Sequence, residues 1–317
     1  MAQYTTLQKT EIQAILAKYG IDNFTDWKLL KGGSANTNYL VTTLDQQLVL
    51  TVCDAKSKSQ TQELADLLEY LHQAGFSTSK VIRNIAGQLV EFWEQKPVLL
   101  KEYLIGQVME NLPAHLLESV GQQLGKLHLL VAPNYLPKKI DYGLEAFAEM
   151  ETYAPDSLFY DWLKEIQQYV LEHDLPNLPK ALTHADLFYN NIIVDSVESE
   201  AIIMDFEEAS HYYRVFDLGM TMIGVCSQGA EINLVQVRHF LSGYQQIIQL
   251  LDSEIEALQA FTVYAAAATA FWRYRQFNVL HPDPARDEHY LCMKNLADSV
   301  RSLPKTCFTN TQRHDSI

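Results

Sequence analysis

The chain has 317 residues and a mass of 36.2 kDa, room for one large domain or two modest lobes with ample core, and 48% of its residues are hydrophobic, as in a folded globular protein. Its 24 basic and 39 acidic residues leave a net charge of −15, which argues against nucleic acid or an anionic membrane as a general partner and favours cationic or zwitterionic ligands. Cys53, Cys226, Cys292 and Cys307 form neither a C-x-x-C pair nor a metal spacing, the N-terminus has no basic region ahead of an apolar core, and the longest apolar run, 264–272, is too short for a bilayer; these features predict a soluble cytoplasmic protein with free thiols.

In chain order, residues 7–19 carry Ile12, Ile15, Leu16 and Tyr19 at helical spacing, with Gly20 as a stop. The strand-like runs 27–31 and 39–43 flank Gly32-Gly33-Ser34-Ala35-Asn36-Thr37-Asn38, a hairpin loop whose backbone can approach a ligand closely and whose amides can cover nucleotide phosphates. It is not the P-loop pattern, which needs G-x-x-x-x-G-K-[ST]. Residues 47–53 read as the next strand. Residues 60–74 read as a helix by the stripe Leu64, Leu67, Leu68, Leu71, ending at Gly75. Residues 89–93 and 98–103 read as a strand pair. At Leu104-Ile105-Gly106 the chain changes character, the best place for a hinge between lobes 1–103 and 104–317. Beyond it Leu116, Leu117, Val120, Leu124, Leu127 and His128 share a helical face, where His128 reads as a core histidine rather than a ligand. Asp217 opens a later helical run, either capping it or bracing the loop described next. Residues 264–275 form a strong helix with aromatic and cationic residues at its end; these either line a pocket or pack and solvate the helix terminus.

The chemistry concentrates in His184-Ala185-Asp186-Leu187-Phe188-Tyr189-Asn190-Asn191, followed by Asp205-Phe206-Glu207. The short apolar runs 192–194 and 201–204, separated by a polar segment, read as an antiparallel hairpin. Such pairing sets Asn191, entering the first strand, beside Asp205, leaving the second, with Asp186 just upstream. Three oxygen-bearing side chains then converge, as Mg2+ and a phosphoryl group require. The pattern matches H-x-D-x-x-x-x-N followed by Asp-Phe-x of the kinases, which gives Asp186 the substrate hydroxyl, Asn191 and Asp205 the Mg2+, and His184 a bracing role. One departure stands out. Protein kinases carry a phosphate-binding lysine on the third strand, where this chain has Thr51, with Lys56 and Lys58 just beyond; Thr51 is equally consistent with a plain strand residue. Glu63, which would pair with such a lysine, either keeps a role in the site or serves its helix dipole.

The whole order resembles the aminoglycoside phosphotransferase and choline kinase superfamily, and within it the chain looks most like the type II homoserine kinases, in which Thr also stands in the lysine position. The likeness is densest at His184-Ala185-Asp186-Leu187-Phe188 and Asp205-Phe206. It implies an α+β, bilobal, protein-kinase-like fold, with a small β-rich N-terminal nucleotide-binding lobe and a larger, mostly helical catalytic lobe. It implies ATP and Mg2+ as cofactors, bound by Gly32, Gly33, Ser34, Asn36 and Thr51 and by the hinge backbone at Glu102 and Tyr103. It implies a small amino-alcohol substrate, homoserine first, and neither nucleic acid nor membrane as partner. Homoserine needs an acid for its ammonium, for which Glu207 is the candidate, and a cation for its carboxylate, for which Arg273 and Arg275 are candidates. Choline or ethanolamine would instead want acids and an aromatic cage, which Tyr189, Tyr212, Tyr213, Trp272 and Tyr274 can supply. An aminoglycoside or methylthioribose kinase, or a nucleotide-binding pseudokinase, are the remaining alternatives.

Overall fold

The first helix forms for the reason its sequence suggests. In α1 (Lys9–Ala17) the side chains of Ile12, Ile15 and Leu16 share one face and are wholly buried, the Gln8 amide donates to the Glu11 carboxylate at 2.6 Å to close the N-terminus, and Gly20 ends the turn at φ +72°. The computed structural model describes residues 5–30, 36–174, 176–195, 197 and 199–309. The chain divides into two compact units, Met1–Ile105 and Gly106–Ile317.

The first unit is built on strands β1 (Phe24–Leu29), β2 (Thr37–Thr43), β3 (Gln47–Val52), β4 (Glu91–Trp93) and β5 (Lys96–Glu102), in the order β1-β2-β3-β5-β4 with every pair antiparallel. Strand alternation sends Tyr39, Val41, Leu48, Leu50, Val52, Val98 and Leu100 to one face, where they form a single core with the apolar stripe of α1. Thr51 therefore belongs to the opposite face. The β4–β5 turn places Glu94 and Gln95 both at positive φ, the backbone a tight hairpin demands. Between β3 and β4 runs α2 (Lys58–Gln73), capped by Ser57, which accepts from the Gln60 amide while its own amide donates to the Gln60 side chain. It starts two residues earlier than its leucine stripe suggests, because this cap precedes the first leucine, and Thr61 and Ala65 join the buried face while Leu64 is only half-buried.

The second unit is mostly helical. Its helices are α3 (Ala114–Leu129), α4 (Met150–Tyr153), α5 (Leu158–Leu171), α6 (Arg214–Val225), α7 (Leu234–Gln245), α8 (Asp252–Tyr274), α9 (His289–Ser302) and α10 (Thr306–Thr309). Three small antiparallel pairs complete it: β6 (Lys180–Thr183) with β9 (Ser210–Tyr213), β7 (Ile192–Val194) with β8 (Ala201–Ile203), and β10 (Ser227–Gln228) with β11 (Glu231–Ile232). Helix α8 is apolar on every side and its middle is buried all round, so it serves as the post against which α5, α6 and α9 pack. The one acid sunk at its start, Glu254, is matched by the guanidinium of Arg214 through two hydrogen bonds. Among the described residues no helix is long and apolar enough to cross a membrane.

Candidate active site

Strand β6 delivers the chain to His184, and the paired strand β9 returns it to α6; the two strands thus hold the loop 184–191 and the hairpin β7–β8 between fixed ends. In the hairpin Ile192 faces Ile203, and the Met204 amide donates to the Asn191 carbonyl at 2.9 Å. Asn191 and Asp205 consequently leave the same open end of the hairpin. Asn191 donates through Nδ2 to the Asp186 carbonyl at 2.8 Å and to Asp186 Oδ2 at 3.3 Å, which leaves its Oδ1 as the oxygen available to a ligand. Asp186 is half-buried and Asp205 is exposed.

The loop is pinned from below by Asp217 on α6. Its Oδ2 accepts from the His184 amide at 2.7 Å and its Oδ1 from the Ala185 amide at 2.8 Å, while His128 Nε2 meets Oδ2 at 3.0 Å and His128 Nδ1 meets the Tyr244 hydroxyl at 2.8 Å. Of the two roles open to Asp217, the structure favours bracing the loop over capping its helix. Burial alone would raise the carboxyl's pKa, but the His128 hydrogen bond, the electrostatic attraction of the His128 and His184 rings and the His184 amide together bring it below the ordinary value. His128 is a fully enclosed core histidine. His184 Nδ1 accepts the Asp186 amide at 3.2 Å and its Nε2 faces the Met204 carbonyl at 2.9 Å. That pair of contacts requires the neutral Nε2–H tautomer, and burial pushes the imidazole's pKa down accordingly. The ring packs against Phe206 with centroids 4.9 Å apart and planes inclined by 58°, tying the loop to the segment after the hairpin.

Asp186 is electrostatically unusual. Burial first, then the carboxylates of Glu208 and Asp205, push its pKa up to about 8; the Asn191 amide opposes this and Glu207 adds to it. Glu208, absent from the sequence expectation, weighs more on Asp186 than the expected Glu207. Four acids, Asp186, Asp205, Glu207 and Glu208, thus lie close enough to influence one another. Two side-chain oxygens at the end of a hairpin, with phosphate oxygens to complete the shell, are the donor set Mg2+ takes. Among the described residues no group of three or more His, Cys, Asp or Glu side chains is spaced to hold a metal by itself.

The remaining expected residues spread more widely. Gly32, Gly33 and Ser34 lie outside the described residues; Asn36, which follows them, is buried. Thr51 is buried and donates to Asn38 Oδ1 at 2.7 Å across the β2–β3 pair, and Lys58 packs over the Phe92 ring at 5.0 Å. At the end of β5 the Glu102 amide donates to the Lys80 carbonyl at 2.8 Å and the Tyr103 amide to the Gln47 carbonyl at 3.3 Å, so both amide donors of this pair are used within the first unit. Arg275 is bound to Asp141 at 2.9 Å and Glu149 at 3.3 Å and lies over Phe271, whereas Arg273 donates to the His289 carbonyl at 3.3 Å. Tyr274 packs with Tyr290 and Phe159, Trp272 with Phe277, and Tyr212 with Phe216; these rings are largely occupied by each other. Tyr142, a lone tyrosine in an unpatterned loop, went unnoticed in the sequence: its hydroxyl donates to the Ala185 carbonyl at 2.6 Å.

A pinned loop carrying Asp186, an Asn–Asp pair at a hairpin end and a helical unit joined to a five-stranded antiparallel sheet define a protein-kinase-like phosphotransferase. The chain belongs to the phosphotransferase enzyme family, whose model matches residues 26–250. It is 28% identical over 310 residues to a homoserine kinase of Pseudomonas aeruginosa, covering 93% of this chain and 96% of the relative. Among solved structures it is similar to an amicoumacin kinase in complex with AMP-PNP and Ca2+, with a TM-score of 0.73 at 18% identity over 94% of this chain and 96% of that one. It is also similar to a microcompartment-associated aminopropanol kinase, with a TM-score of 0.70 at 18% identity over 92% and 95%. At these identities the structures establish the fold, which is the α+β architecture expected from the sequence.

Proposed function

We propose that the protein is an ATP- and Mg2+-dependent kinase that phosphorylates the side-chain hydroxyl of homoserine. The observation that carries this reading is the full-length similarity to a homoserine kinase, taken with the pinned loop that presents Asp186 beside Asn191. Asp186 orients the hydroxyl and accepts its proton as the oxygen attacks the γ-phosphorus in line, the bond from the γ-phosphorus to the bridging oxygen breaks and ADP leaves. Asn191 and Asp205 would hold Mg2+, which supplies charge neutralisation at the phosphoryl oxygens. Glu207 and Glu208 supply the negative field that suits the substrate's ammonium. Residues Gly32, Gly33, Ser34 and Asn36 are proposed to cover the phosphates, with the chain around Glu102 and Tyr103 receiving the adenine.

The test is Mg-ATP turnover by coupled ADP release against homoserine, choline, ethanolamine, methylthioribose and kanamycin. Homoserine is expected to exceed the others clearly in kcat/KM; preference for any other acceptor rejects the substrate assignment. Asp186→Ala is expected to abolish turnover, by about 1,000-fold or more, while nucleotide still binds. Asp205→Ala is expected to weaken Mg-nucleotide binding itself. An Asp186→Ala enzyme that turned over like wild type would reject the mechanism.

A further inference from the structure

We infer that Arg273 is the residue by which this enzyme selects an acceptor bearing a carboxylate, gripping that carboxylate while Asp186 engages the hydroxyl. The inference rests on the homoserine reading and deepens it. Helices α6 and α8 run side by side in the same direction: Arg214 meets Glu254, Gly219 abuts Thr262, and Met220 reaches Thr269. Their C-terminal ends therefore arrive together. The end of α6 touches the catalytic loop, since a Cβ on Gly224 would come within 2.2 Å of the Leu187 carbonyl. Arg273, one turn beyond Thr269, is thereby brought to the level of Leu187 and its neighbour Asp186.

The guanidinium is held there by its surroundings. The first residue of α9, His289, accepts from Nη1, and Cys292, one turn along α9, both touches Arg273 and donates to the Gly229 carbonyl between β10 and β11 at 3.6 Å. Among the described residues no carboxylate forms an ion pair with Arg273, in contrast to Arg275, whose charge is answered by Asp141 and Glu149. Burial depresses the pKa of Arg273, and the Cys292 thiol and the Asp186 carboxylate work against that. A carboxylate on the catalytic loop and, at the same level of the helical unit, a half-buried guanidinium with no carboxylate partner among the described residues fit an acceptor with a hydroxyl at one end and a carboxylate at the other.

The experiment compares L-homoserine with 3-amino-1-propanol, which keeps the hydroxyl and ammonium and lacks the carboxylate, in wild type, Arg273→Gln, Arg273→Lys and Arg275→Gln. In Arg273→Gln the KM for homoserine is expected to rise about 10- to 100-fold, with the loss in KM rather than kcat, and the homoserine to aminopropanol ratio of kcat/KM to fall by a similar factor. Arg273→Lys, which keeps the charge without the fork, is expected to recover part of that loss, whereas Arg275→Gln is expected to lower the melting temperature and leave the ratio intact. An unchanged homoserine KM in Arg273→Gln, or equal losses on both acceptors with no recovery in Arg273→Lys, overturns the inference while the homoserine reading stands. A wild-type enzyme inactive on homoserine overturns both.

Discussion

The most constrained residue of the site is one without a functional side chain. Ala185 has φ +66°, a left-handed backbone that costs a non-glycine residue about 1 kcal/mol, and it is completely buried between His184 and Asp186. Two hydrogen bonds hold it there: Asp217 takes its amide and the Tyr142 hydroxyl donates to its carbonyl. The orientation of that carbonyl sets the direction in which the chain leaves toward Asp186. Tyr142→Phe removes the donor and leaves a buried carbonyl unanswered. It is expected to cost about 1–2 kcal/mol of stability and to lower kcat about 10-fold while the KM for ATP changes little. Denaturant titration and steady-state kinetics on the same preparation check this; a variant destabilised without any fall in kcat would reduce Tyr142 to packing. Asp205 shares the positive φ, at +68°, and its short polar side chain tolerates that conformation better than alanine does.

Helix α6 is the element that converts packing into geometry. All its residues from Val215 to Val225 are buried, and its two glycines lie where other backbone crowds in, Gly219 against Phe261 and Gly224 against Leu187. That closeness puts the Asp217 carboxylate within reach of two consecutive loop amides. The carboxylate form is what the site stabilises, so the folded pKa lies below the ordinary 3.8. The stabilisation is fully present above that ordinary value and is lost as pH falls through the lower folded value. Asp217→Asn can accept from only one of the two amides and sets an NH2 group against the other. It is expected to destabilise the fold by about 2–4 kcal/mol at pH 7, with the gap from wild type narrowing below pH 4. Urea titrations across pH 3–7 read this directly; a gap independent of pH would mean that Asp217 acts by shape alone.

At the scale of the whole molecule the charge of −15 is both a cost and a context. Self-repulsion opposes compactness and is screened by salt, so raising NaCl from 20 to 300 mM is expected to raise the melting temperature by roughly 2–5 °C; a fall would mean that the surface ion pairs outweigh the repulsion. Much of the architecture follows from local pattern. The α1 stripe, the period-two strands and the hairpin after Asn191 are readable because a 3.6-residue or two-residue period dictates which side chains must be buried. The same holds for Asp186, Asn191 and Asp205, since hairpin pairing alone brings the last two together. Other features depend on contacts distant in sequence, which no local period encodes. Tyr142 reaches Ala185 from 43 residues away, and Asp217 reaches His184 from 33. Glu208 bears on the acidity of Asp186 more than Glu207 does, though the two are neighbours in sequence. Arg273 and Arg275 read alike in the sequence, two cations one residue apart at a helix end. Only the packing of α8 assigns one to Asp141 and Glu149 and leaves the other without a carboxylate partner among the described residues, because residues two apart on a helix point to different sides.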